Sequence, residues 1–318
     1  MRLSSLLLAC LLLQACSSIP LNDTIGLLPK QRQLSVPFVP QQALYCGPAA
    51  LTEIARFWGL EADQQTLAKQ LFIPGKSGSL AIEMQAASRR LGLLPYPLAR
   101  NLSAILTEVN AGHPVLVFQN LGFSWLPQWH YAVVVGYDLD TEELLLHSGS
   151  HENYRLSFKT FMATWARTSH WARVLTDSRR LPATAKPAQY IALAYEFEQV
   201  GDVELARSFY ALAAEQWPHS KPVLTALANV ALTQGDTSAA IDSFGQLLLT
   251  NSDDPALWNN YAFALLAKGC RAEAVLAIDE AVSLAEDKSS YRQSRDEILA
   301  ASASPKQQCS GLVMPNSN

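Results

Sequence analysis

Cys46 is followed by Gly47 and Pro48 and then by apolar residues at helical spacing, a placement that can turn a thiol into a nucleophile. Proline suits the first turn of a helix and glycine removes bulk beside the sulfur, so a helix is predicted to begin at or just after Cys46. Its N-terminal amides and dipole would stabilise a thiolate, and the thiol pKa is expected to be lowered. A thiolate that attacks a carbonyl needs a group to move protons, and histidine has a suitable pKa. Among the six histidines, His130 stands at the entrance of an apolar run, behind the polar and aromatic residues 125–129. Cys46 and His130 together predict acyl transfer through a thioester. His113, His147, His151, His170 and His219 are read as exposed or hydrogen-bonded structural histidines.

Helices and strands must bring these two residues together. Leu51, Ile54, Ala55 and Trp58 recur at helical spacing within residues 49–58, and Ile82, Met84 and Leu91 predict a second helix over 81–91. Three short aliphatic runs, 114–118, 131–137 and 143–147, predict strands, with 138–141 as a hairpin connection between the last two. Helices followed by antiparallel strands give an α+β class for a domain over residues 36–177.

The segment VPFVPQQALYCGPAAL, residues 36–51, and the string HYAVVVGY from His130 resemble the bacteriocin-leader-processing, or double-glycine, cysteine peptidases. The resemblance covers residues 36–175 and implies a papain-like fold, with a cysteine near the domain start and a histidine on a later strand. It implies an oxyanion donor from a glutamine just before the cysteine, acting with the cysteine's own amide. Gln41 is the choice for that role, with the adjacent Gln42 left open. The family usually places an aspartate at the end of the strand after the histidine strand, to orient and neutralise the imidazole. Here Ser148 stands at that place. Either its hydroxyl suffices, or Asn153 substitutes, or the site is inactive. Asp138 and Asp140 fall in the expected turn and are read as turn residues. The sequence has no transmembrane helices, nucleotide-binding domain or Gly-x-x-x-x-Gly-Lys loop like those of the leader-processing exporters, so cleavage after a double glycine is not carried over.

Pro182 and Pro187 bracket a linker, residues 178–186, beyond which the chain repeats. Gly201, Gly235 and Gly269 recur every 34 residues, as do Ala206, Ala240 and Ala274. Tyr190, Leu224 and Trp258 share another phase, and Tyr210, Phe244 and Ile278 a fourth. The period is that of the tetratricopeptide repeat, two helices meeting at a glycine turn. Three repeats, 187–220, 221–254 and 255–288, with a capping helix over 289–300, give an all-α solenoid spanning 187–302, followed by a tail, 303–318. Stacked helix pairs form a concave groove suited to a peptide or protein partner.

Arg2, the apolar run 3–13 and Leu13-Gln14-Ala15-Cys16 form an export signal, residues 1–15, whose end resembles the lipobox of bacterial lipoproteins. That resemblance implies cleavage before Cys16, lipid on its sulfur and a tether over 16–35. With Ser17 and Ser18 following, it implies an outer-membrane protein facing the periplasm, attached to the membrane through its lipid. Cys10 leaves with the signal and Cys16 is blocked, leaving three thiols in an oxidising compartment. Cys270 and Cys309 are expected to pair, with Cys46 kept free.

The 318 residues, 49% hydrophobic and 16% charged, accommodate two globular parts. A net charge of -4 without a long Lys/Arg run supplies no footprint for nucleic acid. No paired ligand spacing suggests a metal, and the chemistry needs no cofactor. The expected function is a lipid-anchored cysteine peptidase whose repeats bind a partner. The alternatives are an inactive peptidase-like scaffold that binds partners through its repeats, and an envelope assembly factor with no groove ligand.

Overall fold

The computed structural model describes residues 26–42, 44–72, 79–301, 309 and 314. The predicted signal, Cys16 and most of the tail lie outside the described residues. In chain order the elements of the first part are β1 (Gln31–Gln33), α1 (Cys46–Phe57), α2 (Gln64–Leu71), α3 (Ala81–Arg90), β2 (Leu94–Pro97), α4 (Leu102–Asn110), β3 (Val115–Asn120), β4 (Trp129–Asp138), β5 (Glu143–Ser148), β6 (His151–Ser157), α5 (Phe158–Ala166) and β7 (Ala172–Thr176). The second part is helical: α6 (Pro187–Gln199), α7 (Val203–Gln216), α8 (Lys221–Thr233), α9 (Thr237–Thr250), α10 (Pro255–Ala267), α11 (Arg271–Leu284) and α12 (Ser289–Ala300). No helix among the described residues is long and apolar enough to cross a membrane.

The strands form one antiparallel sheet ordered β2-β7-β3-β4-β5-β6, with β1 paired to the far end of β4. β4 is buried from Tyr131 to Asp138, as its unbroken apolar run requires. α1 packs on β4 through Leu51, Ile54 and Ala55, all without solvent exposure. Its far end is pinned where Trp58 Nε1 donates to Leu175 O of β7 at 2.6 Å. In the first part side-chain caps set three helix starts: Asp63 for α2, Asn101 for α4 and Ser157 for α5.

One expected boundary moves. Residues 31–33, expected in the tether, belong to the sheet, because β1 pairs with β4 from Gln31 opposite Asp138 to Gln33 opposite Gly136. The approach is close enough that a Cβ on Gly136 would lie 2.6 Å from Arg32 O, so only glycine fits there. The linker 178–186 is docked. Glu108 of α4, fully buried, accepts from Ala183 N at 3.0 Å, Thr184 N at 2.8 Å and Thr184 Oγ1 at 2.6 Å, and contacts His113 Nδ1 at 2.7 Å. Tyr96 Oη donates to Gln189 Oε1 and accepts from Lys186 N. One apolar core runs from the sheet into Tyr190, Phe197, Phe209 and Tyr210 of α6 and α7.

Three helix pairs follow at the 34-residue period, turning at Gly201, Gly235 and Gly269, each with positive φ. The residues of the recurring phases are the ones that pack: Ala206, Ala240 and Ala274 have no exposure, nor do Phe244, Ile278 and Tyr190. Ile298 of α12 is buried against the last pair, and Cys270 is bonded to Cys309, their Cα atoms 5.8 Å apart.

Candidate active site

Cys46 is the first residue of α1. The preceding Tyr45 offers no side-chain cap, so the first amides of the helix, those of Cys46 and Gly47, are turned on the sulfur instead. Gly47 is required by packing: a Cβ there would meet Ser79 Oγ at 2.8 Å and Met84 Sδ at 2.9 Å. A third amide, that of Tyr131, also faces the sulfur, which sets the thiol against the start of β4 beside His130. His130 Nε2 lies 2.9 Å from Ser148 Oγ, at the end of β5. Gln41, Cys46, Ser79, Trp129, His130 and Tyr131 line one cleft of about 580 Å³.

The loop before Cys46 is clamped on three sides. Val39 N donates to Glu53 Oε1 at 3.0 Å, Gln41 N to Gly149 O at 3.0 Å, and Gln42 N to Gln64 Oε1 at 2.9 Å. Gln41 points into the cleft region, with its Oε1 buried and without a partner, whereas Gln42 is exposed. Of the two glutamines that the sequence left open, Gln41 is the one that lines the cleft. Asn153 is engaged elsewhere: its Oδ1 accepts from Gln33 Nε2 at 3.1 Å. Asp138 accepts from the amides of Asp140 and Thr141, and Asp140 pairs with Lys30.

The electrostatics depart from the expectation of a lowered thiol. Burial pushes the Cys46 thiol up, and the amides of Tyr131, Gly47 and Cys46 itself only partly oppose it. Burial also pulls His130 down to about 4. The resting pair is therefore neutral thiol and neutral imidazole at neutral pH. A helix start stabilises a thiolate only as far as desolvation permits, and no carboxylate hydrogen-bonds His130 among the described residues.

Glu53, unassigned by sequence, and His147, read there as a structural histidine, line a small cavity with Cys46. Glu53 and His147, each 3% exposed, approach with Oε2 3.4 Å from Nδ1. Burial pushes the Glu53 carboxyl up, opposed by His147 and the Val39 amide. The available signal was a carboxylate two turns after Cys46 on an otherwise apolar helix face. Ser79 and Leu80, which form the opposite cleft wall, carry no signal in the sequence.

Residues 33–172 match the sequence model of the Peptidase_C39 like family. Similar solved structures include a C39-like peptidase from Bacillus anthracis, 16% identical, covering 47% of this chain and 98% of that one with a TM-score of 0.40. A double glycine motif protease from an AMS/PCAT transporter, solved with its leader peptide, is 15% identical over 45% of this chain and 93% of that one, TM-score 0.34. The peptidase domain of Streptococcus ComA is 22% identical over 44% and 96%, TM-score 0.35. No curated protein matches the chain.

Proposed function

Taking residues 33–172 as a C39-like peptidase domain, we propose that the protein is a cysteine peptidase in which Cys46 is the nucleophile and His130 the base. The observation that carries this reading is the cleft in which the thiol, the imidazole held by Ser148 and the side chain of Gln41 meet. With Nε2 engaged by Ser148, Nδ1 is the nitrogen left to take the thiol proton. Attack forms the bond from sulfur to the carbonyl carbon, Gln41 and the Cys46 amide hold the oxyanion, and the imidazolium protonates the leaving amine. Water then hydrolyses the thioester. Because both groups rest neutral, proton transfer accompanies attack and does not precede it.

Ser148 orients the ring but carries no charge to stabilise the imidazolium. Ser148→Asp is expected to raise the His130 pKa from about 4 and to speed acylation of Cys46 by p-nitrophenyl acetate roughly tenfold, one pKa unit of stabilisation being that factor. Ser148→Ala is expected to slow it. Equal rates in all three proteins would remove Ser148 from the site.

A second reading, a peptidase-like scaffold without turnover, is favoured by one observation, the hydroxyl where a carboxylate is usual. Acylation that stalls at the thioester would support it. In both readings the helix pairs of 187–288 are tetratricopeptide repeats that hold a peptide or protein partner, and Cys16 carries the lipid. Cys16→Ser is expected to move the protein from the membrane to the soluble fraction, since the lipid supplies the two or more chains needed for stable anchoring. A variant that stays as membrane-bound as wild type would refute the anchor.

A further inference from the structure

We propose that Glu53 is a positioning residue of this site, holding the Gln41 loop and the Ser148 end of β5 in one geometry; the proposal rests on reading Cys46 and His130 as nucleophile and base. Glu53 lies two turns along α1 from Cys46, and its carboxylate is buried under the nucleophile. One oxygen accepts from Val39 N, two residues before Gln41. The other faces His147 Nδ1 at 3.4 Å, one residue before Ser148. Phe38, on the same loop, meets the His147 ring edge-on at 5.2 Å, which closes the connection between loop and strand. A small cavity lined by Gln41, Cys46, Glu53, Tyr131, His147 and Gly149 marks where these groups converge.

The chemistry of a carboxylate fits this task. Two acceptor oxygens on one rigid group engage two separate arms of a site. Filling the position for stability alone would favour an apolar side chain, because burying a carboxyl group costs desolvation that a hydrophobic residue of the same size does not. The oxyanion donor and the hydroxyl that aims the base come from different strands and loops, so their separation is set by what joins them beneath the sulfur. Glu53 is that joint.

Glu53→Gln keeps an acceptor for Val39 and a group facing His147, while Glu53→Met keeps only the volume. With p-nitrophenyl acetate as the probe, Cys46 attacks the ester carbonyl, p-nitrophenolate leaves and His130 takes the thiol proton. The Met variant is expected to lose about 10²-fold in the acylation rate, the cost of a displacement near 1 Å, with the Gln variant restored to within about threefold of wild type. A Met variant as fast as wild type, or a Gln variant as slow as Met, overturns the proposal. Amide exchange at Gln41, whose N–H is bound to Gly149 and not to Glu53, tests the joint without any turnover. Faster exchange in the Met variant is expected, and unchanged exchange overturns it. Failure of wild type to acylate would instead remove the reading of Cys46 and His130, leaving the exchange result to decide the role of Glu53.

Discussion

His130→Ala is expected to lower the rate of Cys46 acylation at pH 7 by about 10³-fold, and Cys46→Ala to abolish it. The large factor follows from the environment of the thiol. Burial holds Cys46 above the ordinary thiol range, so at neutral pH little thiolate exists without a base beside it. Three amides favour the thiolate once it forms, yet they cannot accept its proton. The imidazole of His130 can, and with a pKa of about 4 it is neutral and ready to do so. Acylation by p-nitrophenyl acetate, followed as the release of p-nitrophenolate, reads both variants. An acylation rate unchanged by His130→Ala would show that the thiol reacts alone.

Glu108→Ala is expected to destabilise the protein by about 3–5 kcal/mol, read from the urea dependence of unfolding. Its carboxylate has no solvent exposure and satisfies two backbone amides and a hydroxyl of residues 183–184 as well as contacting His113. Alanine removes the acceptor of each of those donors, at about 1–3 kcal/mol for each one that water does not reach. Because the amides belong to the segment joining sheet and helix pairs, the loss has a local signature. Trypsin is expected to cut the variant at Arg179 or Arg180 under conditions that leave wild type intact. Those residues are held in the native chain by Asp177, which pairs with both arginines. A loss below about 1 kcal/mol would mean that water replaces the carboxylate and that the segment is a true linker.

The sequence made the central strands and the helix pairs readable and hid the edges of the sheet. β3, β4 and β5 are aliphatic runs buried in its middle, so their composition declares them. β2 contains Pro95 and Pro97, which only an edge strand tolerates, and β6 is largely exposed and polar; neither has the pattern of a half-buried strand. β1 is three polar residues whose pairing depends on the absence of a side chain at Gly136, a contact between distant parts of the chain. The docking of the linker has no local signature because its partners, Glu108 and Tyr96, are far away in sequence.

The site divides in the same way. Cys46 and His130 sit at element starts marked by local chemistry, a Cys-Gly-Pro helix start and an aliphatic strand. The choice of Gln41 over Gln42 depends on the clamping of the loop by Glu53, Gly149 and Gln64, which no local pattern contains. The direction of the thiol pKa was misjudged because the helix start is visible in sequence and the burial that outweighs it is not. Glu53 carries little signal for the same reason, since it becomes informative only when His147 is found against it.

The most direct test is the pH profile of Cys46 acylation by p-nitrophenyl acetate in wild type and His130→Ala. A neutral thiol beside an imidazole of pKa about 4 predicts a wild-type rate nearly flat from about pH 5 to pH 8, because neither group changes charge in that window. The His130→Ala rate is predicted to start far lower and to climb about tenfold per pH unit as thiolate alone becomes the nucleophile. Two superimposable profiles, both climbing tenfold per unit, would contradict the pairing of Cys46 with His130 and leave Cys46 an ordinary buried thiol.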